Sequence, residues 1–164
     1  MNSYEMEYER KNSFVALIVM IAIPLAVGLI ASMLTRNAQI AFVRLAKPPL
    51  APPAWLFPVV WTIMYALMGL ASYKIYLSYD AGRNIALTLY GIQLIFNFAW
   101  SIIFFRNGTY WFAAAWLLIM WLMILLLIMV TNTFSKIATI LLIPYLLWST
   151  FALYLNVGIA ILNK

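Results

Sequence analysis

Five stretches of this chain run for about 20 residues or more without a charged side chain inside them. That length of apolar helix crosses roughly 30 Å of hydrocarbon. The stretches cover about residues 13–34, 54–76, 84–105, 109–130 and 137–162, with Lys74 near the end of the second. They predict an all-α integral membrane protein, a bundle of five transmembrane helices forming one domain over residues 13–164. Residues 1–12 read as a polar, mobile N-terminal tail. Hydrophobic residues make up 67% of the 164, more apolar surface than a soluble domain of this size can hide. The first run is longer than a signal-peptide core and has no cleavage pattern, so it reads as a retained helix.

The charged residues sit between or beside the runs. Ten Lys and Arg stand against four Asp and Glu, and the excess suits phospholipid headgroups better than nucleic acid. Lys and Arg divide five to five between the two sides, so the positive-inside rule selects no orientation. The chain has no Cys and no His. Disulfides, thiol nucleophiles, imidazole acid–base chemistry and the commonest metal ligands are thereby excluded. No ionisable group of the kind used by proton relays lies mid-span. A proton-coupled pump and conventional hydrolysis are both disfavoured, and no metal or required cofactor is expected.

What the spans do hold is uncharged polar and aromatic residues on faces. At 100° per residue, Tyr90, Gln93, Asn97, Trp100, Ser101 and Phe104 fall within an arc of roughly 100°. Tyr145, Trp148, Ser149, Ala152 and Asn156 make a second stripe, and Phe57, Trp61, Tyr65, Met68 and Ser72 a third. Buried amides in lipid need partners, so these faces should turn inward. Two readings stand: the stripes cement the helices, or they line a hollow for a flat, greasy ligand with a polar rim. Gly28 and Ser32 form a small pair that permits close helix contact or is ordinary membrane composition. No two glycines fall four apart, so a strict glycine-based dimer motif is missing.

The first loop, residues 35–52, is long for a compact bundle, and such loops are often lids. Its prolines, Pro48-Pro49 and Pro52-Pro53, should hold the chain extended. Arg36, Arg44 and Lys47 stand there beside Ile40, Phe42, Val43 and Leu45, a pattern that also fits a turn lying on headgroups. Arg106-Asn107-Gly108 is a very short turn that makes spans three and four antiparallel neighbours. Pro144 is expected to bend span five.

The segments PPAWLFPVVWTIMYALMGLASY, IFNFAWSIIFF and LLIPYLLWSTFALYLN, in this order on five spans, resemble the translocator protein family, whose bacterial members are called tryptophan-rich sensory proteins. The resemblance covers about Ala41 to Asn156. It implies a five-helix bundle, often a homodimer, with a pocket under the first loop. It implies binding of porphyrins, in some members sterols or synthetic ligands, and in some bacterial members light-dependent degradation of protoporphyrin. By motif, Trp61, Asn97 and Trp148 match pocket positions, Trp61 and Trp148 match the pair tied to degradation, and Ala152 matches a small pocket position. The family loop is altered: Ala41-Phe42 replaces Trp-Tyr and Leu50 replaces a later Trp, while Lys47, Pro48, Pro52 and Pro53 remain. The sterol motif late in span five is absent, with Val157, Gly158 and Ile161 in its place.

The combined expectation is a ligand site of Phe57, Trp61, Tyr65, Tyr90, Gln93, Asn97, Trp100, Tyr145, Trp148, Ser149 and Ala152, under a lid containing Phe42, Lys47, Pro48 and Leu50. Trp61 and Trp148 are the catalytic candidates if photodegradation occurs. The function expected is porphyrin or tetrapyrrole binding in a multi-pass membrane protein of a bacterial cell membrane, as sensor, carrier or light-dependent scavenger. A permease for small amphiphiles, or a regulatory partner protein without turnover, is the alternative.

Overall fold

In a computed structural model the described residues are 3–163, with side chains described from Ser13 onward, Gln39 excepted. Every regular element among them is helical. The order is α1 (Ser3–Leu34), α2 (Ala38–Arg44), α3 (Leu56–Tyr76), α4 (Arg83–Ser101), a π-helical turn (Ile102–Arg106), α5 (Tyr110–Asn132) and α6 (Lys136–Leu162). Among the described residues five helices are long and apolar enough to cross a membrane: Ser13–Leu34 within α1, α3, α4 with its π turn, α5 and α6.

Two helical segments go beyond the sequence reading. The polar segment before Ser13 reads as a tail in the sequence, and its backbone from Ser3 continues α1. Glu, Met, Lys and Arg are good helix formers, and the span behind them supplies the nucleus. The first loop also contains α2, which the sequence reads only as an amphipathic turn. Pro144 lies inside α6, whose helix is continuous from Lys136 to Leu162.

α1 packs on α3, α3 on α6, α6 on α5 and α5 on α4, while the seam from α4 back to α1 is sparse. Small residues set the close approaches. Gly69 of α3 sits against the backbone of Ile21, where an added Cβ would stand 2.6 Å from the Ile21 Cα. Gly28 of α1 faces the Tyr65 ring of α3 in the same way. Met68, Ile75, Leu117, Met120, Ile124, Leu127, Leu142 and Ile159 fill the interior. Phe14, Ile18, Leu29, Ile95, Met129, Ile140 and Leu147 are exposed, as lipid-facing positions of a membrane bundle should be.

The α4–α5 corner carries the one irregular helical turn among the described residues. Asn107 donates its backbone N–H to the Ile102 carbonyl at 3.1 Å, closing the wider loop of a π turn. Gly108 then takes φ +64°, a conformation that favours glycine. The corner directly follows Trp100 and Ser101 and brings Phe105 to the wall of a cavity.

Candidate functional site

The polar stripes do turn inward, and in the bundle centre they bond to one another. The Tyr65 hydroxyl donates to Asn97 Oδ1 at 2.6 Å. Asn97 Nδ2 donates to the Tyr145 hydroxyl at 3.0 Å, and that hydroxyl donates to Gln93 Oε1 at 2.8 Å. This relay joins α3, α4 and α6. A second one joins α4, α5 and α6: Trp100 Nε1 donates to Asn156 Oδ1 at 3.0 Å, and Asn156 Nδ2 donates to the Tyr110 carbonyl at 2.9 Å. Gln93, Asn97, Tyr145 and Ser149 are fully buried, and the Ser149 hydroxyl donates back to the Tyr145 carbonyl. In low dielectric such bonds between amides and phenols hold helices in one arrangement. Tyr90 Oη, Gln93 Nε2 and Trp148 Nε1 are buried without a partner among the described residues.

A cavity of about 690 Å³ lies to one side of this relay, between α1, α2, α3 and the end of α4. Trp61, Trp100, Phe57, Phe105 and Tyr65 supply its aromatic wall. Trp61 is the hub, with ring centroids 6.0 Å from Trp100, 5.7 Å from Tyr65 and 6.2 Å from Tyr145. The α1 side is Leu25, Gly28, Leu29, Ala31, Ser32, Thr35 and Arg36. The absent side chain at Gly28 leaves room for the Tyr65 ring, and Tyr65 in turn closes the floor through Asn97.

The proline strap, residues 46–53 between α2 and α3, is tied to α6. Asn163 at the end of α6 clamps the Ala46 peptide, its Oδ1 accepting from Ala46 N–H at 3.0 Å and its Nδ2 donating to the Ala46 carbonyl at 2.8 Å. The Tyr154 hydroxyl donates to the Pro49 carbonyl at 2.8 Å. Pro48 is seated on Gly158, where an added Cβ would lie 2.6 Å from the Pro48 ring. Gly158 is therefore the strap's seat on α6.

The expected site residues divide. Phe57, Trp61, Tyr65 and Trp100 line the cavity, and so does Phe42, which packs edge-on against Phe57 at 4.7 Å. Gln93, Asn97, Tyr145 and Ser149 belong to the buried interior, as do Tyr90 and Ala152. Trp148 pairs with Phe57 at 6.0 Å and Phe151 at 5.6 Å, whereas Trp61 pairs with Tyr65, Trp100 and Tyr145. The two expected photochemical partners thus stand in different aromatic neighbourhoods. Of the other strap residues, Lys47 turns back, its Nζ donating to the carbonyls of Phe42, Val43 and Leu45. It caps the end of α2, where a cation is favoured. Leu50 is 82% exposed with φ +66°.

Sequence reasoning missed the α1 wall and Phe105. Gly28, Ser32 and Thr35 recur at helical spacing, and that small, weakly polar face was the available signal. A groove defined by small side chains is quieter in a sequence than a stripe of indoles.

Against known proteins, the chain matches the TspO/MBR family over residues 20–162. It is 37% identical over 146 residues to the tryptophan-rich protein TspO of Chlorobaculum tepidum, covering 87% of this chain and 92% of that relative. It is 36% identical over 113 residues to the tryptophan-rich sensory protein of Cereibacter sphaeroides, covering 69% and 70%. The translocator protein of Bos taurus is 34% identical over 118 residues, 70% of each chain.

Proposed function

The chain belongs to the TspO/MBR family of multi-pass integral membrane proteins, and on that premise we propose that it binds flat, apolar ligands of the porphyrin type in the cavity beside Trp61. The observation that carries the reading is the cavity itself. At about 690 Å³ it falls within the usual range for small-molecule sites. Indole and phenyl faces give a planar ring large contact area with few torsions to freeze. Trp61 makes no side-chain hydrogen bond among the described residues, which leaves its indole N–H available to a guest.

Binding is the whole of the proposed chemistry. Among the described residues the wall holds no carboxylate and no imidazole, the usual agents of acid–base turnover. A sensor or carrier role needs only reversible occupancy. The test is titration of the purified protein with protoporphyrin IX, read by tryptophan fluorescence. Saturable quenching that weakens about tenfold in Trp61→Leu supports the reading, the size expected for one lost aromatic face and its buried area. Linear, non-saturating quenching, unaffected by Trp61→Leu, contradicts it.

A further inference from the structure

The geometry points to a carboxylate on the ligand, held by Arg36 at the cavity mouth while the apolar body lies against Trp61 and Trp100. This deepens the proposed ligand reading and rests on it.

The first observation is which polar groups of the wall are already engaged. Ser32 Oγ donates to the Leu29 carbonyl, Thr35 Oγ1 to the Ala31 carbonyl and Thr62 Oγ1 to the Pro58 carbonyl, each at 2.8 Å. Those hydroxyls have given their protons to their own helices. Trp100 Nε1 is taken by Asn156, while the neutral donors Trp61 Nε1 and Ser101 Oγ have no partner among the described residues, so charge is what sets Arg36 apart on this wall. Arg36 lines the cavity, and among the described residues it has no hydrogen-bond or ion-pair partner. It brings five N–H donors in a planar fork that matches a carboxylate.

The second observation is the charge of this end of the bundle. The cations Arg36, Arg44, Lys47 and Arg106 all stand on the strap side. All four acidic residues, Glu5, Glu7, Glu9 and Asp80, belong to the opposite end, before the first span or in the α3–α4 turn. Among the described residues no acidic side chain lines the cavity. Lys47 is spent on the carbonyls of the α2 end, which leaves Arg36 as the cation on the cavity wall.

The placement is also right for a charge. Arg36 lies past the last residue of α1, is exposed, and shares the cavity with residues that lie deeper in the spans, such as Leu25 and Tyr65. A carboxylate there keeps its hydration at headgroup level while its apolar body enters the hydrocarbon, so no isolated charge is buried. The two helix ends near this wall carry opposite signs. The last carbonyls of α1 repel an anion, and the uncapped start of α3 at Trp55 attracts one. The guanidinium decides the sign.

The experiment uses the full chain in phosphatidylcholine nanodiscs, where no anionic lipid competes, with protoporphyrin IX and its dimethyl ester as probes. The two share the ring and differ in the acids. The free acid is expected to bind about tenfold tighter than the ester, the size of one charge-assisted hydrogen-bonded pair. Arg36→Gln should bring acid and ester to within about twofold by weakening the acid alone, since loss of that pair is the whole difference. Arg44→Gln, on the same side but off the cavity wall, should leave the preference intact. Acid and ester binding alike in the parent protein overturns the inference while leaving the ligand reading in place. So does a preference that Arg44→Gln removes as fully as Arg36→Gln, which would make it a general surface field. Failure of both probes to bind removes the ligand reading itself, and this inference with it.

Discussion

The Tyr65–Asn97 bond is the joint between the packed relay and the cavity floor, and a double-mutant cycle measures it. Asn97→Leu keeps most of the volume and removes the acceptor for Tyr65 and the donor to Tyr145. Asn97 is 1% exposed and Tyr65 6%, so water cannot readily replace either partner. Stranding the Tyr65 hydroxyl costs about 1–3 kcal/mol, and each lost bond is worth about 1 kcal/mol net. Hydrogen bonds inside membrane proteins sit at the lower end, about 0.6 kcal/mol on average and up to about 1.7. The single change should therefore destabilise by about 2–3 kcal/mol. Tyr65→Phe keeps the ring and should cost about 1 kcal/mol. The double variant strands no Tyr65 hydroxyl, so it should fall short of the sum by about 1 kcal/mol. Reversible unfolding in mixed micelles, titrated with dodecyl sulfate, reads all four proteins. Additivity to within about 0.3–0.5 kcal/mol would refute the reasoning, because uncoupled residues behave that way.

Other consequences are equally open to measurement. Gly69→Ala drives a Cβ into the backbone of Ile21 and the Met20 carbonyl, so it should destabilise by about 1–3 kcal/mol in the same unfolding assay. Gly158→Ala should push Pro48 off its seat and raise hydrogen exchange at Ala46 and Ala51, and Asn163→Ala should do the same by removing both bonds to Ala46. Leu50→Gly should be tolerated with a stability change under about 1 kcal/mol, since relief of the positive φ offsets glycine's extra unfolded-state entropy. Where illumination bleaches bound protoporphyrin, Trp61→Phe should slow the bleaching more than Trp148→Phe, because Trp61 faces the cavity and Trp148 pairs with Phe57 and Phe151.

The spans were legible because charge is intolerable in hydrocarbon, and uncharged runs of this length have few other readings. Inward orientation of the stripes was legible for the same reason: Gln93, Asn97, Ser149 and Asn156 all prove to be 0–1% exposed. What periodicity does not encode is the partner. An amide and two phenols on three helices look alike whether they await a ligand or satisfy one another, and here Asn97, Tyr65 and Tyr145 satisfy one another. The cavity's α1 wall was faint because Gly28 contributes by lacking a side chain. Lys47 read as a strap cation, but the three carbonyls it caps come together only once α2 has formed.

The central claim is that the guest sits between α1 and α3, beside Trp61, rather than among the amides shared by α3, α4 and α6. The chain's lack of cysteine makes a direct test clean. Single cysteines at Ser32 on the cavity wall and at Ala152 in the buried interior can be labelled with a small maleimide, with and without saturating protoporphyrin IX. The account predicts that the pigment slows labelling at position 32 at least several-fold and leaves position 152 at its slow, ligand-independent rate. Protection confined to position 152, with position 32 labelled as fast as before, would contradict it.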